Sequence, residues 1–169
     1  MIPRYTPAEV AELWSDRNRY AVWLEVELCA CEAMEDAGLV PPGTAAEIRA
    51  LGIEPDPAEI ERIEQTTRHD VIAFLTHVEQ RVGAPARWLH RGMTSNDVLD
   101  SSFAVLLARS ADLLLARADA LAAALERRAR EHVTTAVIGR SHGIHAEPVT
   151  FGVVLAGHLA EVKRGRARL

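Results

Sequence analysis

The sequence predicts an all-α fold, and three observations support that prediction. Sequences that start helices, with Thr or Asp followed three residues later by Glu or Asp, recur at residues 6–9, 44–47, 56–59 and 94–97. Apolar residues repeat at three- and four-residue spacings, which is the period of a helix face. No segment alternates with a period of two for long enough to predict a strand.

Two helices are predicted at the start of the chain. Thr6 is expected to cap the first helix, with Pro7 at its first position. Asp16 is expected to cap a long second helix that stops at Gly38. The predicted inner face of this second helix consists of Tyr20, Trp23, Leu24, Leu28 and Cys31.

Shorter helices are predicted in the middle of the chain. Thr44 and Asp56 each begin a capping sequence. A further helix follows Thr67 and ends at Gly83. Its predicted inner face consists of Val71, Phe74, Leu75 and Val78.

One very long helix is predicted from Thr94, because residues 94–132 contain neither glycine nor proline. A helix of about 37 residues is about 55 Å long, which exceeds the width of a small domain. We therefore expect one rod of a larger bundle, formed between subunits. Residues 151–162 also have helical spacing, and no capping signal precedes Leu169. We therefore expect these 169 residues to be part of a longer polypeptide.

The composition is that of a globular protein of the cytoplasm. The hydrophobic fraction is 49%, the charged fraction 25% and the formal net charge −5. No apolar run reaches the roughly 20 residues that span a bilayer, and the first residues do not resemble a secretory signal. Cys29 and Cys31 would lie on different faces of a helix, so we expect buried, reduced thiols rather than a disulfide.

The first polar cluster, at residues 66–70, combines an imidazole, a guanidinium and a carboxylate at a predicted helix N-terminus. Such an N-terminus favours anions, so Arg68, His69 and Asp70 are candidate ligand contacts. The alternative is that Thr67 and Asp70 only cap the helix while His69 is solvated, and the spacing by itself favours this second interpretation.

The second cluster, at residues 92–97, places Thr94 and Ser95 at the start of the longest helix. Neutral hydroxyl donors in this position could hold a carboxylate or a phosphate. The same residues are also good helix starters, which is the preferred interpretation when the cluster is considered by itself. His90, four residues before Thr94, is a possible neighbour of the site.

The third cluster, at residues 139–148, is rich in glycine and polar residues between two apolar helical segments. Glycines on both sides of Arg-Ser-His free the backbone to present His142. His142, His145 and Glu147 could instead be metal ligands, but no Cys cluster or second His pair supports a metal. The remaining histidines, His77, His132 and His158, are isolated, and we expect them to be structural or exposed.

These segments resemble a known family. TRHDV at residues 67–71, GMTSNDVLD at residues 92–100 and GRSHGIHAEP at residues 139–148 occur in this order, after the opening MIPRY. Together they resemble the bacterial adenylosuccinate lyases of the fumarase/aspartase superfamily. The resemblance implies an N-terminal helical domain at residues 1–93 and the first part of a central helical-bundle domain at residues 94–169.

The activity implied by this resemblance is a β-elimination. Adenylosuccinate would give AMP and fumarate, and the succinyl-carboxamide ribotide of purine synthesis would also release fumarate. A base removes a proton beside a carboxylate and an acid protonates the departing nitrogen. Histidine suits the acid because it titrates near neutral pH. The family implies no metal or organic cofactor, no nucleic acid, no membrane, and a cytoplasmic homotetramer.

The resemblance also assigns roles to individual residues. His142 matches the general acid, and His69 matches a second histidine with an acid or orienting role. Substrate contacts are implied for Arg4, Tyr5, Arg68, His69, Asp70, Thr94 and Ser95. The family's base is a serine in a Gly-Ser-Ser-rich loop, and these 169 residues contain no such sequence.

Two alternatives to this assignment stay open. The first is another fumarate-releasing lyase of the same superfamily. The second is a non-catalytic helical assembly module in which the histidines only cap helices and fill the core.

Overall fold

A computed structural model describes residues 2–169, so Met1 of the MIPRY segment lies outside the described residues. Seven α-helices and one two-stranded sheet make up this part of the chain, which confirms the all-α class. Two short 3₁₀ helices cover Pro3–Tyr5 and Ala84–Trp88. The other elements are α1 (Ala8–Leu13), α2 (Asp16–Asp36), α3 (Thr44–Ala50), α4 (Pro57–Thr67), α5 (Asp70–Val82), α6 (Ser95–Glu131), β1 (Ala136–Ser141), β2 (Ile144–Thr150) and α7 (Phe151–Arg166).

The chain divides into two compact units, one ending at Ala108 and one from Arg109 to Leu169. No helix among residues 2–169 combines the length and apolar character that crossing a bilayer requires. The core of the first unit centres on aromatic side chains of α2 and α5. The Tyr20 and Phe74 rings stack with centroids 5.9 Å apart, and Trp23 meets both rings edge-on. The predicted inner faces of these two helices are thereby confirmed, with Leu75 only partly buried.

Several predicted helix starts are wrong in detail. Thr6 donates its hydroxyl to the Ile2 carbonyl, and Pro7 caps α1 without a side-chain hydrogen bond. Ser15, not Asp16, caps α2 by accepting the Asn18 N–H. Asp56 caps α4 as predicted, by accepting the Ala58 and Glu59 N–H groups.

The start of α3 is also not the predicted capping box. Thr44 is its first helical residue, and Gly43, with a φ of +85°, occupies the cap position. The missing acceptor comes from α2, since the Glu35 carboxylate accepts the Gly43 and Ala45 N–H groups, each at 2.7 Å. These backbone hydrogen bonds lower the pKa of Glu35. A carboxylate of a neighbouring helix thus caps α3 in place of the predicted local capping box.

The cysteines and the longest helix follow the sequence prediction in part. Both thiols are free, but only Cys31 is buried, so the prediction that Cys29 is buried is wrong. Helix α6 has 37 residues, as predicted. Only Val98, Ser102 and Leu106 on it are buried.

The second unit contains a β-hairpin where the sequence predicted no strand. β1 and β2 pair antiparallel, and Ser141 lies opposite Ile144. Nearly every side chain of the hairpin is exposed or half-exposed on both faces. A strand pair with no buried face has no alternating pattern, which explains why the period-two signal was missing.

Candidate active site

Arg68 and His69 connect α4 to α5, and Asp70 is the first residue of α5. Arg68 ends α4 in the left-handed region, with a φ of +54°. His69 then caps α5 through Nδ1, which accepts the Ile72 N–H at 3.4 Å. The Asp70 carboxylate accepts the Val71 N–H at 2.7 Å. The expected Thr67 cap is not formed, because the Thr67 hydroxyl donates to the His69 carbonyl instead.

His69 therefore uses only Nδ1 to cap the helix, and its Nε2 is left to contact a ligand. A ring whose Nδ1 accepts a hydrogen bond carries its proton on Nε2 when it is neutral. Asp70 Oδ1 lies 3.3 Å from the same Nδ1, so protonation of Nδ1 would replace the cap with an ion pair. Both side chains are 46% exposed. The capping and ligand-binding interpretations of His69 are thus compatible.

Thr94 and Ser95 stand at the start of α6. Asp97 accepts the Thr94 N–H at 2.7 Å, and the Asp97 N–H donates to the Thr94 carbonyl at 3.0 Å. The carboxylate half of the predicted capping box is therefore formed, whereas the Asp97 N–H donates to the Thr94 backbone carbonyl and not to its hydroxyl. Thr94 is exposed and Ser95 half-buried, so both can meet a ligand.

The first turns of α5 and α6, at the first and second polar clusters, pack in the same hydrophobic core. Val71, just after Asp70, and Val98, three residues after Ser95, are both 0% exposed in the same hydrophobic cluster. Because both valines are buried in the core, the first turns of the two helices are held in place. The polar residues beside them stay at the surface. Rigid elements of this kind hold site residues more accurately than free loops do.

Arg4 and Tyr5 lie together in the first 3₁₀ helix. The Arg4 guanidinium carbon is 4.7 Å from the centre of the Tyr5 ring, a cation–π contact. Tyr5 is 70% exposed. The pair is therefore preassembled and open to a ligand.

His142 lies at the tip of the β1–β2 hairpin. Because Ser141 pairs with Ile144, His142 and Gly143 form a two-residue loop. Their φ angles are +51° and +73°, and two positive φ values are typical of a type I′ turn. Glycine suits the second position, and the sharp turn exposes the imidazole. The structure thus presents His142 at the turn of a hairpin, with the predicted glycine at the next position.

The hairpin also separates the residues that could have formed a metal site. His145 pairs with Arg140 on the strands, away from the two-residue loop. Within residues 2–169 no three His, Cys, Asp or Glu side chains come together as a group that could hold a metal ion.

The structure also reveals a buried carboxylate–histidine contact that the sequence analysis missed. Glu27 lies among the apolar residues of α2, is 0% exposed, and binds both the backbone N–H and the ring of His90. The sequence did contain a signal for this contact, because Glu27 falls on the apolar stripe of α2 that runs from Trp23 to Cys31. A carboxylate at such a position needs a buried partner.

As expected, His77 and His132 are structural and His158 is exposed. His77 is 0% exposed and its Nε2 accepts the Asp56 N–H at 3.1 Å. Burial and the nearby charge of Arg81 lower the pKa of His77. His132 packs its ring on Phe151.

The helical fold is that of a family of lyases, as comparisons with known proteins show. A family model described as "Lyase" matches residues 4–169, so the chain belongs to this lyase family. It is 47% identical over 169 residues to the adenylosuccinate lyase of a Synechocystis species, and 40% identical over 168 residues to that of Bacillus subtilis. These alignments cover 100% and 99% of this chain. The chain spans 39% of the length of each of these curated relatives.

A solved structure shares the fold. The fumarate lyase from Mesorhizobium sp. BNC1 matches with a TM-score of 0.88 and 26% identity, over 95% of this chain and 38% of that one. The family resemblance stated from the three motifs is thereby confirmed.

Proposed function

We propose that this chain supplies part of an adenylosuccinate lyase. The observation that supports the proposal is 47% identity to such an enzyme along all 169 residues, which include all three polar clusters. The reaction would be the β-elimination of fumarate from adenylosuccinate, leaving AMP. The succinyl-carboxamide ribotide would react in the same way.

The elimination divides the work between a base and an acid. The base takes a proton from the succinyl carbon beside a carboxylate, and that electron pair becomes the new carbon–carbon double bond of fumarate. The carbon–nitrogen bond breaks, and its electron pair goes to the departing nitrogen. His142 would protonate that nitrogen, since its imidazole is exposed at the tip of a sharp turn. The base would be the family's loop serine, which has no counterpart in residues 1–169.

The remaining site residues would bind and orient the substrate. Thr94 and Ser95 would hold a succinyl carboxylate at the start of α6, where the dipole of a long helix favours an anion. His69 would donate from Nε2, or replace His142 as the acid.

Charged and aromatic side chains would bind the rest of the nucleotide. Arg4 and Tyr5 form a preassembled cation–π pair that suits this role. Arg68 and Asp70 flank His69 and would complete the contact. No cofactor enters any of these steps.

The assembly we propose is the cytoplasmic homotetramer of the family. Residues 1–93 would form the N-terminal domain and residues 94–169 the first part of the bundle domain, because α6 is continuous from Ser95 to Glu131. Exposed apolar side chains support burial of α6 against other helices. These side chains are Phe103, Leu107, Leu114 and Leu121.

Substrate assays on the complete gene product test the proposed function. We expect fumarate release, measured by ultraviolet absorbance, from adenylosuccinate and from the succinyl-carboxamide ribotide. Release from argininosuccinate or aspartate instead would favour another lyase of the superfamily. No release from any of these, with an intact helical fold, would favour the assembly module.

A further inference from the structure

The most unusual polar contact in the first unit joins Glu27 of α2 to His90. Glu27 Oε2 accepts the His90 backbone N–H at 2.7 Å, and Glu27 Oε1 lies 2.6 Å from His90 Nδ1. Glu27 is 0% exposed, and the His90 side chain is 18% exposed. Sixty-three residues separate the two in sequence, so the contact depends on the tertiary fold.

The chemistry of this contact places a proton on Nδ1. A buried carboxylate without partners is costly, and here one residue supplies a partner to each oxygen. Oε2 already accepts the His90 backbone N–H, so a proton on Nδ1 gives the second carboxylate oxygen, Oε1, a donor as well. The Nδ1–H group then donates to Oε1 in a short, charge-assisted hydrogen bond.

The contact also fixes the segment that leads to the second polar cluster. His90 has a φ of +57° and Gly92 a φ of +69°, and the Met93 N–H donates to the His90 carbonyl at 3.4 Å. Thr94 follows directly and is tied to Asp97. Glu27 therefore holds the first residue of a short, hydrogen-bonded turn that ends at the candidate carboxylate site.

We infer that Glu27 is a positioning residue, which holds His90 as the Nδ1–H tautomer and leaves Nε2 free, four residues before Thr94 in the sequence. Nε2 makes no hydrogen bond within residues 2–169. A fixed tautomer gives this nitrogen a defined role as the acceptor of a neutral ring. The reaction that it serves rests on the proposed function, whereas the tautomer does not.

Nitrogen-15 NMR of the complete gene product, labelled at histidine, tests the tautomer directly. We expect the neutral His90 ring to show a protonated Nδ1 and an unprotonated Nε2. The variant His90→Gln identifies the signal by removing it. A protonated Nε2 in the unaltered protein would overturn the inference without any need for a Glu27 variant.

Glu27→Gln tests whether the tautomer matters. Its amide oxygen can still accept the His90 backbone N–H, but its amide N–H now donates to Nδ1 and so moves the ring proton to Nε2. We expect the NMR signature to reverse, and kcat/KM for fumarate release to fall at least about tenfold with the helical content unchanged.

Glu32→Gln is the matched control. Glu32 also lies on α2, but it is exposed and binds Arg49 rather than His90. This variant should keep both the tautomer and kcat/KM. A reversed tautomer in Glu27→Gln with kcat/KM within about twofold of normal would overturn the positioning role. An inactive unaltered gene product would overturn the proposed function, and the His90 tautomer would still decide for or against Glu27.

Discussion

At the scale of single residues, the exposed imidazole at the tip of the hairpin is the proposed acid. Replacing His142 with alanine in the complete gene product should lower kcat by about 10²–10⁴-fold, the range for loss of an acid–base group. Substrate binding should persist, because the binding residues belong to other elements. His158→Ala is the control, since His158 is also exposed and in the second unit. Near-normal kcat in His142→Ala would make His69 the next acid to test.

A second residue-scale prediction concerns the buried His77. Its pKa lies below the ordinary histidine value of 6.5, chiefly because burial disfavours the charged ring. Between 6.5 and the lower folded value, the unfolded chain binds more protons than the folded chain. The contribution of His77 to the free energy of unfolding is therefore complete above pH 6.5 and declines as the pH falls below it.

Chemical denaturation at a series of pH values measures this effect. His77→Gln keeps an acceptor for the Asp56 N–H but cannot titrate, so the pH dependence of unfolding should flatten below pH 6.5. An identical pH profile for His77→Gln and the unaltered protein would contradict the prediction.

At the scale of elements, the hairpin depends on one glycine. The pairing shifts between Ile138 and Arg140, so Gly139 lies at a bulge. A Cβ placed on Gly139 would lie 2.5 Å from the Glu147 carbonyl oxygen. Gly139→Ala should therefore force the strands apart and lower the free energy of unfolding by about 1–3 kcal/mol.

Gly157→Ala is the matched control for Gly139→Ala. Gly157 lies inside α7, and a Cβ there would meet no atom within 4 Å. Alanine favours a helix over glycine, so this variant should raise the free energy of unfolding by up to about 1 kcal/mol. Denaturation of both variants measures these changes in the free energy of unfolding. Equal changes would contradict the prediction that a Cβ is not tolerated at position 139.

At the scale of the whole molecule, residues 1–169 produced by themselves should associate and should not release fumarate. Phe103, Leu107, Leu114 and Leu121 are each about half exposed and follow helical spacings along α6. Burying a leucine contributes roughly 1.5–3 kcal/mol, which favours association. Under the proposed function the serine base has no counterpart in residues 1–169, and tighter substrate binding cannot replace it.

Light scattering and fumarate absorbance check both parts of this prediction. Changing Leu114 and Leu121 to Gln should weaken association while circular dichroism stays helical. A monomer at all concentrations would contradict the role of α6. Steady fumarate release would mean that the base lies within residues 1–169.

Local sequence was a good guide wherever one residue or one helix face decides the structure. The inner faces of α2 and α5, the Asp56 cap and the 37 residues of α6 were all predictable, because helical spacing and glycine-free length act within a single element. The three polar clusters were also visible in the sequence. Their assigned roles remain predictions that the variants above would test.

Tertiary structure decided what local patterns left open. Glu35 replaces the expected Thr44 cap, His69 is itself the cap that Thr67 was expected to be, and His142 sits on a hairpin whose faces are both open to solvent. The sequence did not identify the partner of Glu27, because His90 reaches this carboxylate only in the folded chain. By itself, the sequence determined the all-α class, the main helices and the clusters, because these follow from periodicity and residue type. The hydrogen-bond partner of each buried or terminal polar group often comes from a residue far away in sequence, so only the folded chain specifies it.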